Sequence, residues 1–224
     1  MSPANGSGSA GRTRAQRAVS GLYAITPEDS DTDRLARRVE AALSGGARIV
    51  QYRSKSADTM ARRAQAERLL GLCRRHGALL VINDDLELAL AVGADGVHLG
   101  RDDGDTAAAR SRLPANALLG ISCYDRIDLA AAAAAAGADY VAFGAAFASP
   151  TKPEAVRASP ELFARARARL RIPVVAIGGI TPENARLVID AGADAVAVIT
   201  ALFDAADIRA AAAAFCDLFR HRKP

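Results

Sequence analysis

One pattern recurs four times along the chain: GGARIVQYR at 45–53, GADGVHLG at 93–100, GADYVAFG at 137–144 and GADAVAVI at 192–199. Each copy follows an amphipathic run and opens a short, mostly apolar one. The physical reading is a helix ended by a glycine in a left-handed conformation, followed by a buried strand. Successive copies lie about 44 to 55 residues apart, which leaves room for two strand-plus-helix units each. Further apolar runs at Gly21–Ile25, Leu79–Asn83, Leu118–Tyr124 and Ile172–Ile180 supply the remaining strands. Periodicity predicts helices over 33–44, 57–76, 85–92, 105–112, 125–136, 159–169, 182–191 and 204–219. The strand runs are apolar nearly throughout, as strands covered on both faces are. About eight strands alternating with about eight helices in 224 residues predict an α/β protein, a single closed (β/α)8 TIM barrel over 20–220. An open doubly wound sheet is the alternative arrangement of the same elements.

Charge narrows the function classes. The formal net charge is +4, yet Arg12, Arg14 and Arg17 near one end and Arg220, Arg222 and Lys223 near the other outweigh it, leaving the body slightly acidic. Aromatic residues make up only 4%, too few for a base-stacking platform, so a nucleic-acid partner is not expected. Residues 1–19 are rich in Gly, Ser and Arg without an acid, and read as a disordered basic tail with no secretory apolar middle. No apolar run reaches the roughly 18–20 residues of a membrane span. Cys73, Cys123 and Cys216 are odd in number and far apart, which gives neither a disulfide framework nor a CxxC metal site. A reducing, cytoplasmic location is expected. Homo-oligomerisation stays open.

In such a barrel the chemistry sits at the C-terminal ends of the strands. Strand two ends in Gln51-Tyr52-Arg53-Ser54-Lys55, strand three in Asn83-Asp84-Asp85 and strand four in His98-Leu99-Gly100-Arg101-Asp102-Asp103. Strand five ends in Ser122-Cys123-Tyr124, and Ser149-Pro150-Thr151-Lys152 follows strand six. Gly178-Gly179-Ile180-Thr181 and Ile199-Thr200 follow strands seven and eight. Arg53, Lys55 and Lys152 beside Asp84 and Asp103 suit a metal-bound polyphosphate. Mg²⁺ takes oxygens from one or two aspartates plus phosphate, and cations neutralise the remaining charge. The glycine pair and Thr200 lie in the two loops that hold phosphate in many barrels. Two anion sites imply two phosphorylated ligands, or one with a phosphate at each end. His98 reads either as a base or as a hydrogen-bonded structural histidine. His76 and His221 read as surface residues, and no histidine is placed by sequence to activate Cys123.

The series QxRxK at 51–55, IND at 82–84, ADGVHLGxxD at 94–103, GISCY at 120–124, PTK at 150–152, AIGGIT at 176–181 and VIT at 198–200 resembles the thiamine phosphate synthase family. The match runs in order from about residue 21 to 203. The resemblance implies a Mg²⁺-dependent transferase acting on two small phosphorylated heterocycles. A pyrimidine diphosphate joins a thiazole phosphate, carboxylated or not, to give thiamine phosphate and pyrophosphate. It implies that Gln51, Arg53, Lys55, Asn83, Ser122 and Lys152 hold the pyrimidine diphosphate, with Arg53, Ser122 and Lys152 acting in catalysis. It further implies Asp84 and Asp103 as Mg²⁺ ligands, and Ser149, Thr151, Gly179, Ile199 and Thr200 as the thiazole phosphate site. Ser54 departs from the acidic residue common inside QxRxK. A thiazole tautomerase of the same barrel type carries a histidine just after the strand-five serine, whereas this chain reads Ser122-Cys123-Tyr124-Asp125. A catalytically silent thiazole phosphate-binding barrel would show erosion of the metal and lysine positions, and none is eroded. A sugar-phosphate barrel enzyme of tryptophan or histidine synthesis would not account for QxRxK with IND and PTK.

Overall fold

The computed structural model describes residues 18–100, 104–148 and 157–220, so the tail expected at the N-terminus lies almost wholly outside the described residues. The elements alternate in chain order: β1 (Gly21–Ile25), α1 (Thr32–Ser44), β2 (Ile49–Tyr52), α2 (Thr59–Arg75), β3 (Leu79–Asn83), α3 (Leu86–Val92) and β4 (Gly96–Leu99). They continue with α4 (Thr106–Arg112), β5 (Leu118–Tyr124), α5 (Ile127–Ala135), β6 (Tyr140–Phe143), α6 (Pro160–Arg169) and β7 (Val174–Ile177). Last come α7 (Ala185–Asp190), β8 (Ala195–Val198), α8 (Thr200–Phe203) and α9 (Ile208–Arg220). The eight strands are parallel in sequence order and β8 pairs with β1, closing the barrel. The open-sheet alternative is thereby excluded.

Local chemistry sets the element boundaries. Asp31, Asp58, Asp85 and Asp105 each accept a hydrogen bond from a first-turn N–H of the helix that follows, which fixes where α1 to α4 begin. At the C-terminus the structure departs from the single helix expected over 204–219. One helical turn, α8, starts directly after β8, and Asp207 then accepts from the Ala210 N–H to start α9 afresh. The helix expected over 182–191 is shorter for a related reason: the Asn184 side chain accepts from the Thr181 N–H and holds 181–184 as a turn.

The four-fold repeat has two physical jobs. Gly46, Gly93, Gly137 and Gly192 all have positive φ, from 65° to 120°, and turn the chain from helix to strand. The aspartate two residues beyond three of them works at the N-terminal rim, away from the chemistry. Asp95, Asp139 and Asp194 accept from the N–H groups of Leu80, Leu119 and Val174 at 2.9, 2.9 and 3.0 Å. Their own N–H groups donate back to the carbonyls of the same three residues. Each aspartate thus ties the start of one strand to the start of its neighbour. The first copy has Arg48 there and lacks this side-chain tie. Asp194→Ala leaves the buried Val174 N–H without its acceptor and is expected to cost about 1–3 kcal/mol of stability. Urea titration checks this, and an unchanged midpoint would refute the tie.

Alternation along the strands sorts residues into two cores. Leu22, Val50, Leu80, Val97, Leu119, Val141, Val174 and Val196 face outward into the helix layer, where Phe143 and Phe163 meet edge-on. Tyr23, Ile25, Ile49, Leu118, Tyr140, Ala142, Val175, Ala195 and Ala197 fill the barrel interior. Gln51, His98 and Ser122 lie at inward positions of the same alternation, so polar groups enter the interior from its C-terminal end.

Candidate active site

A chain of hydrogen-bonded side chains crosses the barrel interior. Gln51 Nε2 donates to the Tyr23 hydroxyl at 2.9 Å, and the Tyr23 and Tyr140 hydroxyls are 2.8 Å apart. Tyr140 Oη lies 3.1 Å from His98 Nδ1, and His98 Nε2 lies 2.9 Å from Ser122 Oγ. Burial pushes the pKa of both tyrosine hydroxyls upward, so they remain neutral and keep their protons. His98 is therefore built into the interior as a hydrogen-bonded residue, the second of its two readings from sequence. His76 is exposed, as expected, and His221 lies outside the described residues. Cys123 faces the helix layer, and burial raises its thiol to about 12, which suits an inert packing role.

Above this chain, β2 and β3 open into a cavity of about 450 Å³ whose wall includes Arg53, Lys55, Arg62, Asn83, Asp84 and Asp85. That size suits a small phosphorylated molecule. The loop carrying Arg53 and Lys55 is held by its backbone. Thr26 Oγ1 accepts from the Arg53 N–H at 3.0 Å and donates to the Arg53 carbonyl at 3.3 Å. The Glu28 carboxylate accepts from the Lys55 N–H and, at 2.9 Å, from the Ser54 hydroxyl. A hydroxyl at Ser54 therefore serves to fasten the loop.

Asp84 directly follows β3 with φ +61°, a conformation that aspartate tolerates better than most residues. Its N–H donates to the His98 carbonyl at 2.8 Å, and its Oδ2 accepts from Asn83 Nδ2 at 2.6 Å. The next residue, Asp85, caps α3 through one oxygen and pairs with Arg62 of α2 through the other. Asp84 is thus pinned on both sides with its carboxylate at the exposed wall. Tyr124 ends β5 with φ +53°, beside a register shift between Ser122 and Tyr124. Backbone of this kind concentrates at functional rims.

The opposite side of the rim is made by the β7 and β8 ends. Gly178 and Gly179 have φ +100° and +62°. A Cβ on Gly179 would lie 2.5 Å from the Ala148 carbonyl oxygen and 2.8 Å from that of Phe147. The glycines are therefore required by the protein's own segment after β6, whose Phe147 N–H donates to the Gly178 carbonyl at 3.0 Å. Asn184 Nδ2 donates to the Gly179 carbonyl at 2.9 Å and staples the other side of the turn. Ile199 and Thr200 sit where β8 passes into α8.

Of the residues expected at the site, Gln51, Arg53, Lys55, Asn83, Asp84, Ser122, Gly179, Ile199 and Thr200 all fall at the C-terminal ends of their strands. Asp103, Ser149, Thr151 and Lys152 lie outside the described residues. Among the described residues no group of three or more His, Cys, Asp or Glu side chains could hold a metal ion, and no helix is long and apolar enough to cross a membrane.

A family model described as thiamine monophosphate synthase matches residues 22–202. The chain belongs to the thiamine monophosphate synthase family. It is 60% identical to a thiamine-phosphate synthase of Chromobacterium violaceum over 204 residues, covering 91% of this chain and 98% of that protein. A thiamine-phosphate synthase of Thiobacillus denitrificans is 58% identical over 199 residues, covering 89% of this chain and 94% of the other. Among solved structures, a thiamine phosphate pyrophosphorylase from Pyrococcus furiosus superposes with a TM-score of 0.80 at 35% identity, covering 89% of this chain and 96% of that one.

Several residues that shape this thiamine monophosphate synthase barrel escape a reading of its sequence. Thr26 and Glu28 follow β1 and fasten the Arg53–Lys55 loop from the neighbouring strand end, with no motif of their own to mark them. Arg62 stands on a helix among many arginines and has no local mark, yet it enters the cavity wall. Tyr23 and Tyr140 look like ordinary apolar strand residues until their hydroxyls are seen to meet.

Proposed function

We propose that the chain condenses a pyrimidine diphosphate with a thiazole phosphate, giving thiamine phosphate and pyrophosphate. The observation that carries this reading is the cavity lined by Arg53, Lys55, Asn83 and Asp84 on a barrel of this family, with Gln51 and Ser122 at inward positions of β2 and β5. The diphosphate ester bond of the pyrimidine methylene breaks, and its electron pair leaves on the diphosphate. The thiazole ring nitrogen then forms the new bond to that methylene carbon. Negative charge grows on the departing group, so the cationic side chains of Arg53, Lys55 and Lys152 stabilise it. Gln51, Asn83 and Ser122 orient the pyrimidine. Ser149, Thr151, Gly179, Ile199 and Thr200 hold the thiazole by its phosphate, so that its nitrogen faces the methylene. No nucleophile from the protein takes part.

The donor chemistry at β3 fits Mg²⁺. Asp84 offers carboxylate oxygen at the cavity wall, and a Mg²⁺ site needs only one or two carboxylates when phosphate and water complete it. Asp84 and Asp103 would hold it. Bound there, Mg²⁺ supplies positive charge to the departing diphosphate. The three free cysteines support a reducing, cytoplasmic location.

The test is a discontinuous assay with both substrates in Mg²⁺ and in EDTA, reading thiamine phosphate as fluorescent thiochrome. Product is expected with Mg²⁺ alone. Its absence from folded protein would sink the reading. Asp84→Asn is expected to raise the Mg²⁺ concentration for half-maximal rate about tenfold or more, because one anionic ligand is lost. An unchanged titration would remove Asp84 from the metal site.

A further inference from the structure

We propose that Tyr140 is a positioning residue for this reaction, which acts through His98 to fix the Ser122 hydroxyl as a donor aimed at the rim. The inference rests on the function proposed above, which sets Ser122 against the pyrimidine.

The row is built by register. On three adjacent strands His98 lies opposite Gly120, and Gly120 lies opposite Tyr140. All three point inward, so the missing side chain of Gly120 leaves a slot between the other two. The Tyr140 ring occupies it: a Cβ on Gly120 would sit 2.0 Å from Tyr140 Cζ and 2.3 Å from its Oη. The phenol thereby crosses β5 and reaches the imidazole, with ring centroids 5.6 Å apart. Ser122 is two residues beyond Gly120 on the same strand face, one layer nearer the rim.

The direction of the hydrogen bonds follows from the donor at one end. Gln51 presents an amide N–H to Tyr23, so the Tyr23 hydroxyl accepts there and gives its own proton to Tyr140. Tyr140 then donates to His98 Nδ1, which must be the bare nitrogen of a neutral imidazole. The other nitrogen carries the proton and donates to Ser122 Oγ. Ser122 is left to donate its own hydrogen outward. In the reverse sense Tyr23 would accept twice and its buried proton would have no acceptor among the described residues, which is the costlier arrangement. The relay therefore links Gln51 and Ser122, both assigned to the pyrimidine, through Tyr23, Tyr140 and His98.

Tyr140→Phe removes one hydroxyl and keeps the ring in its slot. It is expected to lower kcat about tenfold, the scale of one well-placed hydrogen bond, with the KM of the thiazole phosphate unchanged. The same substitution in a Ser122→Ala background is expected to cost less than about twofold, because two residues acting through one contact are not additive. The chain has only three histidines, so ¹⁵N-histidine spectra can resolve His98. Wild type should show the Nε2–H tautomer, and Tyr140→Phe should shift it. Full activity in Tyr140→Phe, equal losses with and without Ser122, or an Nδ1–H tautomer in wild type would each overturn the proposal. Wild-type protein without turnover would instead sink the functional reading and with it the role of Ser122, while the tautomer would still report whether the relay exists.

Discussion

Arg53→Ala is expected to lower kcat/KM for the pyrimidine diphosphate by about 10²- to 10³-fold, the usual loss when a fixed charge is removed from where charge develops. The expectation depends on the loop surviving the substitution, and its hydrogen bonding says that it will. Thr26, itself buried, binds the N–H and the carbonyl of residue 53, and neither contact involves the guanidinium. Glu28 holds the next two residues through the Ser54 hydroxyl and the Lys55 N–H. The side chain thus projects from a backbone fixed by others, into a cavity that Lys55 and Arg62 also line. Arg62 is already committed to Asp85, so it is a poor substitute. Lysine at position 53 should restore only part of the rate, since an ammonium lacks the planar fork that meets two phosphate oxygens at once. Steady-state kinetics with each substrate varied in turn would decide. A loss below about threefold would show that Arg53 faces solvent and not the departing diphosphate.

What could be read from the sequence was what repeats or alternates. The GAD copies and the apolar runs between them pointed to a closed barrel, because glycine turns and doubly covered strands leave local marks, and the β1–β8 pairing excludes the open sheet. The rim residues Gln51, Arg53, Asn83, Asp84 and Ser122 were legible by position alone, once strand ends were known. Two kinds of information were not local and stayed hidden. One was the role of the repeat's aspartates, which brace the N-terminal end of the barrel. The other was the Tyr23–Tyr140 contact, made between residues 117 apart in sequence and dependent on a slot at Gly120 that no single strand reveals. The split of the last helix also depended on one side chain, Asp207, capping a second start.

The turn after β7 supports the second large effect. Gly179→Val should raise the KM of the thiazole phosphate by about 10²-fold while the KM of the pyrimidine diphosphate moves by less than about threefold, because a few kcal/mol of strain is concentrated at one side of the rim. Two costs coincide at this position. A β-branched residue at φ +62° is strained whatever the space around it. There is no space either, since the first side-chain carbon would fall 2.5 Å from the Ala148 carbonyl. Neither neighbour can give way cheaply. The Gly178 carbonyl is bonded to the Phe147 N–H, and the Gly179 carbonyl is bonded to Asn184 on the far side. The segments after β6 and β7 must therefore separate, and these are the two that carry the proposed thiazole phosphate contacts. Gly71→Ala is the matched control. It lies in the interior of α2, where a Cβ meets only Arg75 Nη1 at 3.7 Å, and alanine there should add about 0.5–1 kcal/mol to stability with no kinetic change. A folded Gly179→Val protein that kept a normal KM for the thiazole phosphate would mean that this ligand is held elsewhere on the rim.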